Sequence, residues 1–323
     1  LDLSNFYTTN SKDMSFMFNE CTSLTSLNIS NFNTENVLKM DCMFRSCGKL
    51  ANLDLSSFNT SNSKDMSFMF SGCVSITSLN ISNFKTDNVE NMEYMFSSCG
   101  KLANLDLSSF NTVNTKNMAF IFNECTSLTS LNLSHFNTVN VQSMNNMFNK
   151  CSKLKNLTFS SKFTTINVNN MQFMFYSCQE LEIIDVSSFH VAKVKNMNNM
   201  FANCLKLKKL NASNFQTTAL TTASSLFSKC NSLTSIDLSN FDTKKITDMN
   251  SMFSECFSLE KLDVSKFIAS SVTNLSNMFS GCTKLTELNL TFFKPTTVTN
   301  MNSMFDSCNS LISLNLSSFN SEI

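Results

Sequence analysis

A phenylalanine recurs along this chain at a fixed spacing, and that spacing constrains the fold more than any other feature. Every step between its copies is 26 residues except one of 27, where the stretch TFSSKF (158–163) holds one extra residue. The twelve copies are Phe18, Phe44, Phe70, Phe96, Phe122, Phe148, Phe175, Phe201, Phe227, Phe253, Phe279 and Phe305. A period of this length is typical of a solenoid whose coils pack on one another. We expect a single solenoid domain over 1–323, truncated at both ends because the sequence starts and stops in mid-repeat.

Each repeat combines two hydrophobic patterns. Leu24, Leu27 and Ile29 follow the spacing L-x-x-L-x-L, which is typical of the short strand of a leucine-rich repeat. The stretch 37–47 places apolar residues at i, i+3, i+6, i+7 and i+10, a spacing that suits one face of a helix. We therefore expect an α/β leucine-rich-repeat solenoid of about twelve 26-residue coils, with a parallel sheet on one face and short helices on the other.

Methionine, phenylalanine and cysteine each occupy dedicated columns of the repeat. All 20 methionines fall in the columns of Met40 and Met43, and twelve of the 13 cysteines fall in the column of Cys47. Ile121 and Leu226 replace methionine in one column, which a metal site would not tolerate. Metal sites also use clustered cysteines, which are missing from this sequence. We expect a stacked core of buried free thiols, with disulfides between neighbouring coils as the alternative.

The combined columns L-x-x-L-x-L-x-x-F and M-x-x-M-F-x-x-C, as in CTSLTSLNISNFNTENV (21–37) followed by MDCMFRSC (40–47), resemble the BspA-like leucine-rich-repeat surface proteins. The resemblance covers essentially the whole chain. It implies a non-enzymatic protein at the cell surface or outside the cell that attaches to other molecules. It carries over no specific ligand and no defined functional residue.

Composition and motifs argue against catalysis and against a charge-driven partner. The formal net charge is zero and only 15% of residues are charged, so no global field attracts nucleic acid or an anionic membrane. No catalytic or nucleotide-binding motif is found, and His135 and His190 lack a partner at motif spacing. No apolar run approaches the roughly 18 residues of a membrane span. We therefore expect no enzyme activity, no cofactor and no metal site.

Aromatic side chains recur one position before the second methionine in the first half of the chain. On a helix this position would lie opposite the apolar stripe and face outward. Later repeats carry only Asn or Ser there, from Asn199 to Ser303. The predicted partner-binding ridge consists of Phe16, Phe68, Tyr94, Phe120 and Phe173. Its alternative explanation is duplication of one tolerated phenylalanine.

Two further surfaces are candidates. Five of the six lysines in the stretch without acidic residues between Val186 and Cys230 lie within 193–209, which makes these five a possible site for an anionic partner such as a polysaccharide. These are Lys193, Lys195, Lys206, Lys208 and Lys209. Polar side chains in the column of Asn28 and Asp54 would line the exposed face of the sheet, where they could either bind a ligand or keep that face soluble.

Together these features predict a cell-surface or extracellular binding and adhesion solenoid that engages a protein or glycan partner through many weak contacts. The alternative is a structural scaffold that packs laterally into a larger assembly or filament through the aromatic ridge, by self-association. Nucleic acid is not expected as a partner, because aromatic residues are not interleaved with the lysines.

Overall fold

The computed structural model describes residues 1–291 and 293–319. Contacts divide the chain into two compact units, Leu1–Thr164 and Thr165–Ile323. The boundary lies one residue after the stretch 158–163, where the period lengthens by one residue. Each unit is a stack of coils, and the single domain over 1–323 stays a prediction.

Short strands lie in the leucine segments and pair in parallel with the same segment of a neighbouring coil. The register joins each residue to the one a period later, as in Ser130 opposite Asn156. The strands are β1 (Ser130–Leu133), β2 (Asn156–Phe159), β3 (Ile183–Asp185), β4 (Lys209–Asn211), β5 (Ser235–Ile236), β6 (Lys261–Leu262), β7 (Glu287–Asn289) and β8 (Ser313–Asn315). They form four pairs, β1–β2, β3–β4, β5–β6 and β7–β8. The predicted parallel pairing is thus present.

The number of regular turns differs from the prediction. Strands begin only at Ser130, so the parallel β-solenoid comprises about seven turns rather than the expected twelve. In the earlier coils, isolated parallel bridges join equivalent residues, such as Asp2 with Asn28 and Asp13 with Lys39. Within β1 the side chains alternate between exposed and buried, which places Leu131 and Leu133 in the interior.

The predicted short helices are wrong: the described residues contain no helix. The methionine segment is a ribbon of turns in which N–H groups alternate between two kinds of acceptor. The N–H groups of Met40 and Cys42 donate to the carbonyls of Asp65 and Ser67 in the next coil, at 3.0 and 2.8 Å. The N–H of Met43 donates to the carbonyl of Met40, three residues earlier, at 3.3 Å. We call this segment, 40–47 and its equivalents, the turn ribbon.

Left-handed backbone conformations explain why the ribbon is not a helix. Cys42 and Ser46 have φ values of 56° and 59°, and the equivalent residues of other coils are also left-handed. A left-handed residue every fourth position interrupts the right-handed winding that a helix needs. The ribbon begins with an Asx turn, since Asp65 Oδ1 accepts the N–H of Ser67 at 2.9 Å.

The methionine, phenylalanine and cysteine columns fill the interior, as predicted. Met40, Met43 and Cys47 are fully buried. Equivalent phenyl rings stack from coil to coil, with the centroids of Phe44 and Phe70 5.8 Å apart and their planes 7° from parallel. Each coil therefore covers the apolar face of the next, and burial of each large side chain is worth about 1.5–3 kcal/mol.

Buried threonines bind neighbouring coils through their hydroxyl groups. Thr60 Oγ1 donates to the carbonyl of Lys85 at 2.9 Å and accepts from the N–H of the same residue at 2.8 Å. Thr34 and Thr86 make the same double contact one coil before and after. Each threonine thus provides a hydrogen-bonding partner for one backbone N–H and one backbone C=O of the next coil.

Candidate interaction surfaces

The predicted ridge residues occupy the first left-handed position of the turn ribbon. Their φ values lie between 55° and 58°. They are Phe16, Phe68, Tyr94, Phe120 and Phe173. We predicted from helical periodicity that these side chains point outward. The structure gives a different reason for their direction, which is the left-handed backbone conformation at each of these positions.

Three of these rings form one stack in the first unit. The rings of Phe68 and Tyr94 lie 4.5 Å apart and 10° from parallel, and those of Tyr94 and Phe120 lie 4.2 Å apart and 8° from parallel. The guanidinium carbon of Arg45 lies 5.7 Å from the centre of the Phe68 ring, in cation–π range. We call Arg45, Phe68, Tyr94 and Phe120 the aromatic stack. Its three rings are half-buried.

The structure does not bring the other two ridge residues into this stack. The Phe16 side chain is 54% exposed, and the next residue of its column is the buried Cys42. Phe173 lies in the second unit and packs edge-on against Tyr176, with 5.4 Å between ring centres. Sequence reasoning missed Arg45, although it is the only arginine in the chain and lies in the coil directly before Phe68.

The surroundings of the stack are partly desolvated. Burial raises the pKa of Tyr94, and the charge of Glu93 adds to this effect. Burial also raises the pKa of Glu93 itself, against a hydrogen bond with Asn117 that lowers it. A tyrosine hydroxyl and a carboxyl group thus flank the rings in an environment with reduced access to water.

The five predicted lysines lie in the second unit, where carboxylates one period earlier pair with two of them. Lys206 and Lys208 each lie 2.8 Å from a carboxylate oxygen, those of Glu180 and Glu182 respectively. Lys193 Nζ donates to Asn167 Oδ1 at 2.9 Å. Within the described chain, Lys195 and Lys209 have no carboxylate within 4.0 Å. The net positive charge around these five lysines is therefore smaller than the stretch Val186–Cys230 alone suggested.

The polar column of the sheet face serves the local backbone. Asp54 Oδ1 accepts the N–H of Ser56 at 2.9 Å, and Asn132 Oδ1 accepts that of Ser134 at 3.0 Å. These Asx turns end the strand segment. The side chains remain exposed, so their second oxygen or amide group is accessible from solvent.

All 13 cysteines are free thiols, and most are buried. Cys99 Sγ donates to the carbonyl of Phe70 in the preceding coil at 3.2 Å. Burial raises the pKa of Cys125 to about 12. A neutral thiol at this depth is a poor nucleophile and a poor metal ligand. In the part of the chain that the structure describes, no group of three His, Cys, Asp or Glu side chains is arranged to hold a metal ion.

Both histidines bind backbone carbonyls. A ring nitrogen of His135 lies 2.7 Å from the carbonyl oxygen of Leu107, and one of His190 lies 3.0 Å from that of Ser188. The described residues also include no helix with the length and apolar character required to cross a membrane.

Comparison with known proteins identifies a family. A family model described as "Mycoplasma protein of unknown function, DUF285" matches the chain in four overlapping segments, 1–79, 66–160, 155–236 and 221–322. These matches together span nearly the whole sequence. No curated protein matches the chain.

Several solved structures are similar at low sequence identity. A leucine-rich repeat protein from Bacteroides ovatus is 19% identical, with a TM-score of 0.39, covering 88% of this chain and 85% of that one. A leucine-rich cell surface protein from Faecalibacterium prausnitzii is 15% identical, with a TM-score of 0.42 and coverage of 87% and 77%. A leucine-rich repeat protein from Eubacterium ventriosum is 16% identical, with a TM-score of 0.45 and coverage of 95% and 81%. At these TM-scores the similarities support no inference about function.

Proposed function

The chain belongs to the family described as "Mycoplasma protein of unknown function, DUF285", and we propose that it is a non-enzymatic binding solenoid whose aromatic stack docks a protein partner. The family description names no activity, so the proposal starts from the surface of the coils. Its main support is the placement of three bulky aromatic residues on left-handed backbone in consecutive coils.

Placing an aromatic residue on left-handed backbone strains the folded protein in the absence of a partner. A bulky side chain at positive φ is strained by about 1–3 kcal/mol, whereas asparagine tolerates this conformation well. The same column carries Asn146, Asn199 and Asn277 at φ values of 56° to 57°. Phe68, Tyr94 and Phe120 therefore occupy positions where this chain elsewhere uses a better-suited residue. Strain of this kind is typical of functional sites.

The chemistry of the stack suits a protein interface. Tyrosine and arginine are enriched among the residues that contribute most to protein binding. Half-buried rings held rigidly against one another lose little side-chain entropy when a partner covers them. Arg45 and the Tyr94 hydroxyl add hydrogen-bonding groups at the edge of the apolar surface.

Site-specific cross-linking tests the proposal. A photoreactive phenylalanine analogue replaces Tyr94 in the full chain, which is then irradiated with a cell-surface extract of the producing organism. The cross-linked protein is purified, and its affinity is measured for the wild type and for the triple variant Phe68→Asn/Tyr94→Asn/Phe120→Asn. Loss of one dominant contact costs about 2 kcal/mol, roughly a 30-fold change in affinity.

The chain offers a matched control for this experiment. Phe16 belongs to the same column and has the same backbone conformation, but it lies outside the stack. Phe16→Asn should leave the affinity unchanged. Equal weakening by Phe16→Asn and by the triple variant, or no weakening by the triple variant, contradicts a docking role for the stack.

Lateral assembly through the same stack is the second candidate function. The stack carries a cation at one end only, so two copies in antiparallel order would place the Arg45 of each beside the Phe120 of the other. Cross-links between two copies of the chain, with loss of the dimer in the triple variant by sedimentation, would favour this scaffold role over a separate partner.

The location of the protein and its adhesive role are also proposals. The resemblance of the combined leucine and methionine columns to BspA-like surface proteins supports a cell-surface or extracellular site of action. Adhesion to a protein or glycan would then rest on many weak contacts along the coils. An anionic partner at Lys193, Lys195, Lys206, Lys208 and Lys209 is a further proposal, supported chiefly by the unpaired charges of Lys195 and Lys209.

A further inference from the structure

The three rings of the aromatic stack cover one another's faces. The ring of Tyr94 lies between those of Phe68 and Phe120, at 4.5 and 4.2 Å and within 10° of parallel. The guanidinium group of Arg45 covers the outer face of Phe68, with its central carbon 5.7 Å from the ring centre. Beyond Phe120 the column continues with the buried Asn146, whose coil accepts the N–H of Phe120 in a backbone hydrogen bond of 3.0 Å. A partner that approaches from solvent therefore meets ring edges rather than ring faces.

The exposed edges exclude several classes of ligand. Cations bind over the face of an aromatic ring and nucleobases stack on it, and these faces are already covered. A second copy of the stack also presents edges. Because the edge of an aromatic ring is electropositive and its face electronegative, two rows of edges repel each other, which disfavours lateral assembly through the stack alone. The group that suits the row is another ring presented face-on.

The spacing of the edges favours an aromatic side chain as this group. Neighbouring rings lie 4.2 and 4.5 Å apart, so the row is about 9 Å long. A ring laid flat across the row contacts two edges at once and forms an edge-to-face pair with each, a preferred arrangement of aromatic pairs. It also removes water from rings that are already half-buried. An aromatic side chain of a partner therefore makes more favourable contacts with the row than an aliphatic or a charged one.

Arg45 adds a requirement for a carboxylate. Its side chain is half-buried, yet no carboxylate of the described residues lies within 4.0 Å of it, and none of these residues accepts a hydrogen bond from its guanidinium group. Its five N–H donors are therefore without a protein acceptor. A guanidinium group pairs best with a carboxylate, through two parallel hydrogen bonds. A partner carboxylate beside the docked ring provides these acceptors.

The opposite flank of the row limits how acidic the partner can be. Asp65 and Glu93 precede the rings along the turn ribbon, whereas Arg45 belongs to a column that follows them. Among the described residues, neither carboxylate has an ion-pair partner within 4.0 Å. Burial and then the charge of Asp65 raise the pKa of Glu93, against a hydrogen bond with Asn117 that lowers it. A run of acidic residues would be repelled by these charges, so the surface selects a single carboxylate on the Arg45 side.

We infer that the aromatic stack binds a protein segment that presents one aromatic side chain face-on to the ring edges and one carboxylate to Arg45. This inference rests on the proposed docking function and specifies the chemistry of its partner. In an extended segment, side chains two residues apart lie on the same face, about 7 Å from each other. That spacing is close to the step from the guanidinium group to a ring placed over the edges of Phe68 and Tyr94. The expected motif is an acidic residue near an aromatic residue, typically two positions away.

Selection from a random peptide library displayed on phage tests the inference on the full chain. Peptides that bind the wild type but not Phe68→Asn/Tyr94→Asn/Phe120→Asn are retained, which restricts the selection to the stack. We expect them to share an aromatic residue near an aspartate or glutamate. For the peptide that binds most tightly, Arg45→Gln should weaken binding about tenfold. The matched control is Lys39→Gln, which removes an exposed positive charge from the same coil and should leave the affinity unchanged.

NMR of the wild type tests the geometry without relying on a variant's fold. The chain contains three tyrosines, so labelling with ¹³C-tyrosine gives a simple spectrum, in which Tyr94 is assigned from Tyr94→Phe. A partner ring laid face-on across the edges shifts the ring protons of Tyr94 upfield. We expect this shift when the selected peptide is added, with the signals of Tyr7 and Tyr176 unchanged.

Several results would overturn the inference. They are the absence of any peptide whose binding depends on the stack, selected peptides that lack an aromatic residue or carry a basic residue in place of the acid, equal affinity of Arg45→Gln and the wild type, and ring protons of Tyr94 that do not move upfield. Failure of the docking function is distinguishable, because a partner cross-linked at Tyr94 would then bind the triple variant as tightly as the wild type. A cross-linked partner weakened by the triple variant but not by Arg45→Gln retains the docking function and overturns only the aromatic and carboxylate chemistry.

Discussion

The thiol of Cys73 donates a hydrogen bond to the carbonyl oxygen of Phe44, 3.0 Å away in the preceding coil. Equivalent contacts recur along the column, as between Cys230 and Phe201 at 3.2 Å. The cysteines therefore hold neighbouring coils together as neutral donors, and their chemistry depends on whether the coils stay stacked.

Native thiols should resist alkylation. Only Cys21 and Cys308 are partly exposed, whereas the other eleven are buried. At pH 8, iodoacetamide should label the folded protein at those two positions at most, and unfolding in guanidinium should expose all 13, as counted by mass spectrometry. Rapid labelling of the whole column in the folded state would contradict the structural role of the thiols.

Stability should fall in alkaline solution. Burial raises the pKa of Cys73, Cys204 and Cys256 from the ordinary value of 9.0 to about 12. Folding therefore favours the protonated form, so this contribution is complete below pH 9 and is lost as the pH rises towards 12. The free energy of unfolding, measured by denaturant titration, should decrease over that window.

A variant isolates the thiol contribution to this pH dependence. Cys204→Ala removes one raised pKa and should make the alkaline decline shallower than in the wild type, whatever it does to stability at pH 7. An identical slope in both proteins would mean that other groups, such as lysines and tyrosines, cause the decline.

The hydroxyl group of Thr60 should contribute clearly to the stability of the fold. Thr60→Val keeps the shape but leaves the N–H and C=O of Lys85 without a partner. Each unsatisfied buried group costs about 1–3 kcal/mol, so thermal unfolding should shift clearly to lower temperature. Thr60→Ser retains the hydroxyl and should lose less; a larger loss for serine than for valine would contradict the double hydrogen bond.

Tyr94 should be replaceable by asparagine at little cost to the fold. The substitution relieves the strain of an aromatic residue at a φ of 55° but loses ring stacking worth about 0.5–1.5 kcal/mol per pair. We expect Tyr94→Asn to exceed Tyr94→Ala in stability by about 1 kcal/mol, because alanine loses the same stacking without tolerating the left-handed backbone as well. Equal stabilities in denaturant titrations would argue against strain at this site.

Removal of two carboxylates should leave Lys206 and Lys208 without ion-pair partners. Exposed ion pairs contribute ~0.2–1 kcal/mol, so Glu180→Gln/Glu182→Gln should barely change the melting temperature. Retention on an anionic chromatography resin should nevertheless increase, since Lys206 and Lys208 lose their partners. Unchanged retention would show that these pairs do not limit anion binding.

Sequence reasoning succeeded where a column repeats one residue type. The burial of Met40 and Cys47 follows from periodicity alone, because equivalent side chains of a stacked solenoid contact one another whatever the backbone does between them. The parallel pairing of the leucine segments, as between Leu288 and Leu314, follows from the same repeat.

The helix prediction failed because apolar spacing does not determine backbone handedness. A ribbon with a left-handed residue every fourth position buries Met40, Met43 and Cys47 as well as a helix would. The signal was present in the sequence: Gly72, Gly281 and Asn203 occupy the second left-handed column, and these residue types tolerate positive φ. The positive charge around the five predicted lysines was overestimated for another reason. The carboxylates that pair with Lys206 and Lys208 lie 26 residues earlier in the sequence, outside the stretch from Val186 to Cys230 that the prediction considered.

The turn ribbon also determines how a stack of coils responds to tension. Within each unit, every rung of backbone hydrogen bonds connects a coil only to the next one. A force along the stack therefore loads the rungs in series, and the weakest terminal rung yields first. Each coil of 26 residues that detaches lengthens the protein by up to roughly 90 Å of extended chain. A tether built in this way lengthens stepwise and dissipates mechanical work before its covalent backbone carries the load.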